Sequence, residues 1–382
     1  MTFETMTQFP DPMLFLEGET CVSLYQPTHR HFPDNKKDPI VFKNLLRELE
    51  NSLDKLNDKA LREKLLAPFY ALQEDQEFWM NTMDGIALLT NAERAILYHL
   101  HVPVEQLALV ARNFHIKPLL RAFQSVEYFQ ALVLSRDSFS LFEGNQNSME
   151  ELPLLEGAPR TMEDALGGQL TPGHITFGAY DGAGETPMYH GYVDTQNEID
   201  KDTERYFRVV ADFVQEQISE KSHLPLVLVT LPEHQALFRR VNKNRWLMKE
   251  AVAMSAQDTS SADIRQSIHA LIARLEAEKI SKIKENYHTA RADKLASPDV
   301  GEISQAAVKG RVGTLLLEQN RIEPGVIQRA TGFITRGEAS SPYFDDVLDD
   351  LAQIVLQMGG EVMMLKPADM PEDTGAAAIF RY

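Results

Sequence analysis

The run Pro225-Leu-Val-Leu-Val-Thr230 restricts the fold more than any other stretch of the chain. Its interior is apolar at every position, so neither side of such a strand can face water. A strand buried on both faces belongs to a sheet covered by helices on both sides, as parallel sheets are. Helical periodicity precedes it, from about Asp200 to Ile218, with Tyr206, Val210, Phe213 and Val214 on the inner face. The expected class is therefore α/β. At 382 residues the chain is long for one hydrophobic core.

Three segments follow from the patterning. Residues 1–125 open with the β-rich run Thr20–Tyr25. A helix then carries Leu45, Leu46, Leu49 and Leu53, and a second carries Leu61, Leu65, Phe69 and Leu72. Strands are expected at 85–89, 95–98 and 107–110. Residues 126–258 begin with a hairpin, Tyr128–Leu134 and Phe139–Phe142. Within them, 143–204 holds thirteen Asp or Glu against Arg160 and Lys201, and reads as a long, mobile, acidic insertion. The small, polar stretch 251–263 marks a linker, and Ser260 with Asp263 is a capping-box pattern. Residues 259–382 alternate helices and strands with short loops, as a layered α/β domain does.

Composition excludes several classes. No run approaches the roughly 18 apolar residues of a membrane span. The first residues, MTFETMTQFPDPMLF, lack the basic and apolar regions of a secretory signal, which points to the cytoplasm. The single cysteine, Cys21, excludes an internal disulfide framework and a cysteine-rich zinc site. His29 with His31 and His99 with His101 have i,i+2 spacing, but nothing in the sequence joins the pairs, so neither a metal nor any other cofactor is expected. A net charge of −18 opposes indiscriminate affinity for nucleic acid or anionic membranes, and DNA is not an expected partner. Any RNA contact must sit on a local basic face.

Such a face is encoded at Phe238-Arg-Arg-Val-Asn-Lys-Asn-Arg-Trp246, with four cations and two aromatics in nine residues. Arg239, Arg240, Lys243 and Arg245 suit phosphate, and Trp246 suits an unpaired base. The competing reading is a solvated helix face with its aromatics turned inward.

Several motifs carry a family resemblance. Ala306-Ala-Val-Lys-Gly-Arg-Val-Gly-Thr-Leu-Leu-Leu317, Gly359-Gly-Glu-Val-Met-Met-Leu365 and Gly375-Ala-Ala-Ala-Ile-Phe-Arg-Tyr382 resemble the third domain of Pelota and the archaeo-eukaryotic peptide-chain release factors. Val22-Ser-Leu-Tyr-Gln-Pro-Thr-His29, Phe78-Trp79, Gly85-Ile-Ala87 and Phe114-His-Ile-Lys-Pro-Leu-Leu120 are similar to bacterial members of that superfamily. The resemblance implies three domains, a ribonuclease-H-like middle one and a small Pelota-like last one. It also implies a factor that enters the ribosomal A site, with ribosomal RNA as partner and a translational GTPase as a possible second.

It does not by itself imply peptide release. The codon-reading Asn-Ile-Lys-Ser signature is absent, and the matching helix begins Asp38-Pro-Ile-Val-Phe-Lys-Asn44. Gly167-Gly168-Gln169 is present, and such a string can position a hydrolytic water at an ester. In release factors, however, it runs straight into a helix, whereas the position before the helix here is nearer His190 and Gly191. Strands 128–134 and 225–230 have no carboxylates in their interiors, which disfavours a nuclease. The reading is a non-catalytic ribosome-associated factor acting in rescue or hibernation. The alternatives are a peptidyl-tRNA ester hydrolase using Gly167–Gln169 and a protein-interaction module without a ribosomal role.

Overall fold

The computed structural model describes residues 2–16, 20–55, 58–145, 147–154, 157–169, 191–255, 259–337 and 345–382. The first segment contains β1 (Glu4–Met6), β2 (Cys21–Pro27), α1 (Asp38–Leu53), α2 (Lys59–Gln73), α3 (Gln76–Met80), β3 (Gly85–Thr90), β4 (Ala95–Leu100), β5 (Leu107–Ala111) and α4 (Lys117–Gln124). The central segment contains β6 (Tyr128–Leu134), β7 (Phe139–Asn145), β8 (Met149–Glu151), α5 (Met162–Leu166), α6 (Gly191–Val214), α7 (Glu220–Ser222), β9 (Leu226–Thr230), α8 (Pro232–Val241), β10 (Leu247–Ala253) and α9 (Ser261–Ala292). The last segment contains β11 (Ala296–Ser297), α10 (Val300–Val308), β12 (Val312–Glu318), β13 (Pro324–Gln328), β14 (Phe333–Arg336), β15 (Asp345–Asp346), α11 (Val347–Gln357), β16 (Glu361–Leu365) and β17 (Ala376–Phe380).

Contacts divide the chain into two compact units where the sequence suggests three domains. One unit joins residues 1–125 to 277–382, and the other holds 126–276. The two-residue period of β2 explains the first unit. Val22 and Leu24 face one way and pack with Phe42, Leu45, Leu49, Phe69 and Trp79 of the helical layer. Cys21 and Tyr25 face the other way, into a core that also holds Phe114 and Leu119 from the first segment and Ile303, Leu315 and Leu348 from the last. Because both faces of β2 are covered, neither segment completes its core without the other.

The first-segment sheet has the order β1-β4-β3-β2-β5. The last segment forms a four-stranded sheet, β11-β17-β12-β16, and a three-stranded one, β14-β13-β15. Just beyond α11, Gly359 takes a φ of +69°, as glycines commonly do past the last turn of a helix. The next residue, Gly360, is needed for a different reason. A Cβ there would lie 2.6 Å from Val355 Cγ1 and 2.8 Å from the Val312 carbonyl oxygen.

A buried polar hub also ties the two segments of this unit together. Asp349 Oδ1 accepts from the Ile116 and Lys117 backbone N–H groups (2.8 and 2.7 Å), and its Oδ2 accepts from Gln353 Nε2 (2.9 Å). The Lys117 ammonium pairs with Asp346, and Asn113 donates to Asp350 (2.9 Å). Burial, with the Asp346 charge nearby, pushes the Asp349 carboxyl up to about 7. Burial likewise lifts Asp350 to about 6.

The central sheet has the order β10-β9-β6-β7-β8. β6, β7 and β8 are an antiparallel meander, β9 runs parallel to β6, and β10 runs parallel to β9. The run that reads as doubly buried is β9, parallel to both of its neighbours. Leu226 and Leu228 pack under Tyr206, Phe207, Val210 and Phe238 on one side. Val227 and Val229 pack with Ile264, Ile268 and Leu271 of α9 on the other. The expected cap forms, with Asp263 N–H donating to Ser260 Oγ (3.2 Å) and Ser260 Oγ donating to Asp263 Oδ2 (2.6 Å). α9 places Ile264, Ile268, Leu271 and Leu275 in this core, and the compact unit runs to Glu276.

Two expectations need correction. The segment 143–204 is not one mobile insertion: β7 continues to Asn145, β8 follows, and α5 buries Met162 and Leu166 in the core. Several of its acids have structural partners. Glu143 accepts from Gln130 Nε2 (2.8 Å), Asp164 completes a capping box with Thr161, and the fully buried Asp202 pairs with Arg205 (3.3 Å). Residues 170–190 lie outside the described residues. The polar stretch 251–263 is not all linker either, because 251–253 finish β10, paired with β9.

Candidate nucleic-acid interface

The basic cluster straddles the end of α8 and the start of β10. α8 starts at Pro232, whose missing N–H costs nothing in the first helical turn. It is anchored by Phe238, fully buried and edge-on to Phe207, with ring centroids 6.0 Å apart. The loop after it is organised by Asn244, which is itself buried. Its Nδ2 donates to Ser219 Oγ (2.8 Å), its Oδ1 accepts from Trp246 N–H (2.9 Å), and its carbonyl accepts from Leu247 N–H (3.3 Å). One inward residue therefore leaves its neighbours Lys243 and Arg245 pointing to solvent.

The five residues singled out by sequence are not equivalent. Arg239 turns inward, and its Nη1 donates to the Met248 carbonyl (2.9 Å). Its Nη2 is buried without a partner among the described residues. It braces the α8–β10 corner. Arg240 is exposed but paired with Glu204 (2.9 Å), which Arg208 also contacts (3.2 Å). Lys243 and Arg245 are exposed, and the Arg245 guanidinium lies 4.3 Å from the Trp246 ring centroid. The other neighbour of Trp246 is His223, 5.4 Å away between centroids and held at φ +54° just past α7. Neither His223 nor Asn244 carries a sequence signal: both act through contacts some twenty residues distant in the chain. The surface this leaves is an Arg–Trp stack flanked by Lys243, with Lys249 exposed on β10. That combination suits phosphate and a base face.

The other candidates are placed as follows. Gly167–Gln169 form one 3-10 turn directly after α5, with Gly167 at φ +49° and ψ −125° as the terminating residue of that helix. The glycine-only backbone is thus at Gly167. A Cβ on either Gly167 or Gly168 would meet nothing within 4 Å. His190 lies outside the described residues, and Gly191 is the first residue of α6. The histidines have other partners: His29 Nδ1 contacts Asp38 (2.7 Å), while His101 Nδ1 is 3.1 Å from Arg30 Nη2. Burial and the Arg30 charge lower His101 to about 4. Among the described residues no group of three or more His, Cys, Asp or Glu side chains converges as a metal site would. No described helix is long and apolar enough to cross a membrane.

No curated protein matches the chain. Among solved structures, the archaeal translation termination factor aRF1 is similar at 14% identity over 97% of this chain and 95% of that one, with a TM-score of 0.25. Archaeal Pelota, from a ribosome-bound model with ABCE1, is similar at 13% identity over 78% and 77%, with a TM-score of 0.37. Dom34 of S. cerevisiae, described as a translation termination-like factor, is similar at 12% identity over 74% and 75%, with a TM-score of 0.39. Residues 127–274 match the model described as bacterial archaeo-eukaryotic release factor family 6. That match makes the central segment, residues 127–274, similar to a release-factor-like family.

Proposed function

We propose that this protein is a cytoplasmic translation factor that binds the ribosome without catalysing peptide release, in rescue or hibernation. Its partner is ribosomal RNA, met by the α8–β10 corner of the central unit. The observation that carries this reading is the Arg245–Trp246 stack, 4.3 Å from guanidinium to ring, presented on a loop fixed from inside by Asn244. The order and directions of the central sheet support a ribonuclease-H-like domain at 126–258 between segments 1–125 and 259–382. A translational GTPase as second partner rests on the sequence resemblance alone.

The hydrolase reading has one observation in its favour: Gly167 and Gly168 are unobstructed by neighbours. Helix termination already accounts for the torsions of Gly167. Binding is the better-supported function.

Co-sedimentation with purified 70S ribosomes tests it. The protein should pellet at low salt and be released as salt rises. Lys243→Ala with Arg245→Ala should weaken pelleting at least tenfold without changing the melting temperature. Arg239→Ala should lower the melting temperature instead, because it removes the brace to Met248. Equal pelleting of wild type and the Lys243/Arg245 variant would remove the corner from the interface.

A further inference from the structure

Where the loop after β4 meets α4 and the loop after β12, the unit formed by residues 1–125 and 277–382 holds a cavity of about 100 Å³. Its walls are fixed from behind. Under the first wall lies Gly85, where a Cβ would stand 2.9 Å from the Val102 carbonyl oxygen and 3.2 Å from Val104 Cγ2. With no side chain there, the loop settles directly on β3. The second wall is Lys117, only 5% exposed, whose ammonium is held by Asp346 and the Arg321 carbonyl. The third is the loop after β12, where the Gln319 N–H donates to the Leu365 carbonyl (2.8 Å) and Asn320 takes a φ of +61°. Asn320 Nδ2 donates to Glu105 Oε1 (3.0 Å), which ties the two loops together at the exposed rim. A cavity held in this way costs little ordering when it is filled.

Size, polarity and charge then select the occupant. A cavity of roughly 150 Å³ admits benzene, so about six heavy atoms fit here and a nucleotide does not. Val102, Val104, Leu107, Pro118 and Met364 make much of the lining apolar, which a bare inorganic anion would leave unused. Three cationic or basic side chains also line it, and they differ in their commitments. Lys117 is paired as above, and His115 Nδ1 lies 3.5 Å from Asp349 Oδ1. Arg121, one turn after Lys117 on the same face of α4, is half-buried and has no side-chain hydrogen bond or ion pair among the described residues. Glu105 is the one acid among the lining residues, and it is exposed and already accepts from Asn320. The cavity thus offers an uncommitted guanidinium beside an apolar space, with no carboxylate reserved for an ammonium group. A planar carboxylate matches the guanidinium fork, and a compact hydrocarbon matches the rest.

We propose that this cavity binds a small monocarboxylate, its hydrocarbon part among Val102, Val104 and Met364 and its carboxylate on Arg121. The site stands apart from the ribosomal reading and lies in the other unit of the chain. The test is thermal unfolding of the full chain, followed by Trp79 in a Trp246→Phe background at constant ionic strength. The probes are sodium isobutyrate, its neutral isostere isobutyramide, and inorganic phosphate. With a Kd of about 1 mM, isobutyrate at about 10 mM should raise the melting temperature by about 3–5 °C. Isobutyramide and phosphate should each raise it by less than about 1 °C, a Kd at least tenfold weaker. Arg121→Gln should lose the isobutyrate shift relative to its own baseline, while Arg121→Lys should keep part of it. No shift with isobutyrate, or an equal shift with isobutyramide, overturns the proposal. So does an equal shift with phosphate, which would show a general anion effect. A shift that survives Arg121→Gln also overturns it, since the carboxylate would then sit elsewhere.

Discussion

Asp349→Ala should destabilise the unit formed by residues 1–125 and 277–382 by an amount that grows as pH falls. The substitution leaves the Ile116 and Lys117 N–H groups without their acceptor. Each such buried orphan costs about 1–3 kcal/mol. Against this, the wild-type carboxyl titrates near 7 when folded and near 3.8 otherwise, with burial the leading cause. The folded pKa is the higher one, so its contribution is fully present below the unfolded value and is lost as pH rises through about 7. Roughly three pH units at about 1.36 kcal/mol each give about 4 kcal/mol in total, of which about 2.5 falls between pH 8 and pH 5. The variant has no such group, so the stability gap between wild type and variant should be about 2.5 kcal/mol wider at pH 5 than at pH 8. Terms common to both proteins cancel in that difference. His101, whose lowered pKa acts the opposite way, is such a term; Asp350 is not, because the Asp349 charge helps to raise it and is gone in the variant. Urea unfolding followed by Trp79 reports on this unit alone in a Trp246→Phe background, because the chain has two tryptophans. A gap of equal size at both pH values would show that Asp349 is ionised throughout, with its three donors outweighing its burial.

Two further outcomes follow from local geometry. Gly167→Ala should destabilise the central unit by about 1–2 kcal/mol, since alanine is strained at φ +49°, while Gly168→Ala should be neutral in a thermal melt; equal effects would place the helix terminus elsewhere. Truncation after Gly375 removes β17, which pairs with β11 and β12 through the fully buried Ala376–Ala378, and should abolish the cooperative transition reported by Trp79; a truncated chain that melts like the whole would refute that role.

Local periodicity made much of the fold legible. β9 could be read because four consecutive apolar residues allow one environment only. α1 was readable because Leu45, Leu46, Leu49 and Leu53 share a face, and α9 because Ser260 and Asp263 cap it. The losses have a common cause. α5 and β8 are three to five residues long and carry acids, so a charge count over 143–204 hid them. The shared core of the first and last segments was invisible because its bonds, such as Asp349 to Lys117, join residues 232 positions apart.

The candidate interface was legible in composition but not in role, for the same reason carried down to single side chains. Arg239, Arg240, Lys243 and Arg245 are four interchangeable positive charges in the sequence. The fold makes them different by what it brings opposite each: the Met248 carbonyl for Arg239, the Glu204 carboxylate from α6 for Arg240, and the Trp246 ring for Arg245. A guanidinium committed to a backbone carbonyl of β10 stabilises the corner and is unavailable to phosphate. One paired with an exposed carboxylate must exchange that partner before it can take another, which lowers its net gain. Only a cation in water beside an aromatic ring meets RNA without first breaking a contact. By that criterion the recognition surface contracts from the whole of 239–246 to Lys243, Arg245 and Trp246, and these are the positions where substitution should separate binding from folding.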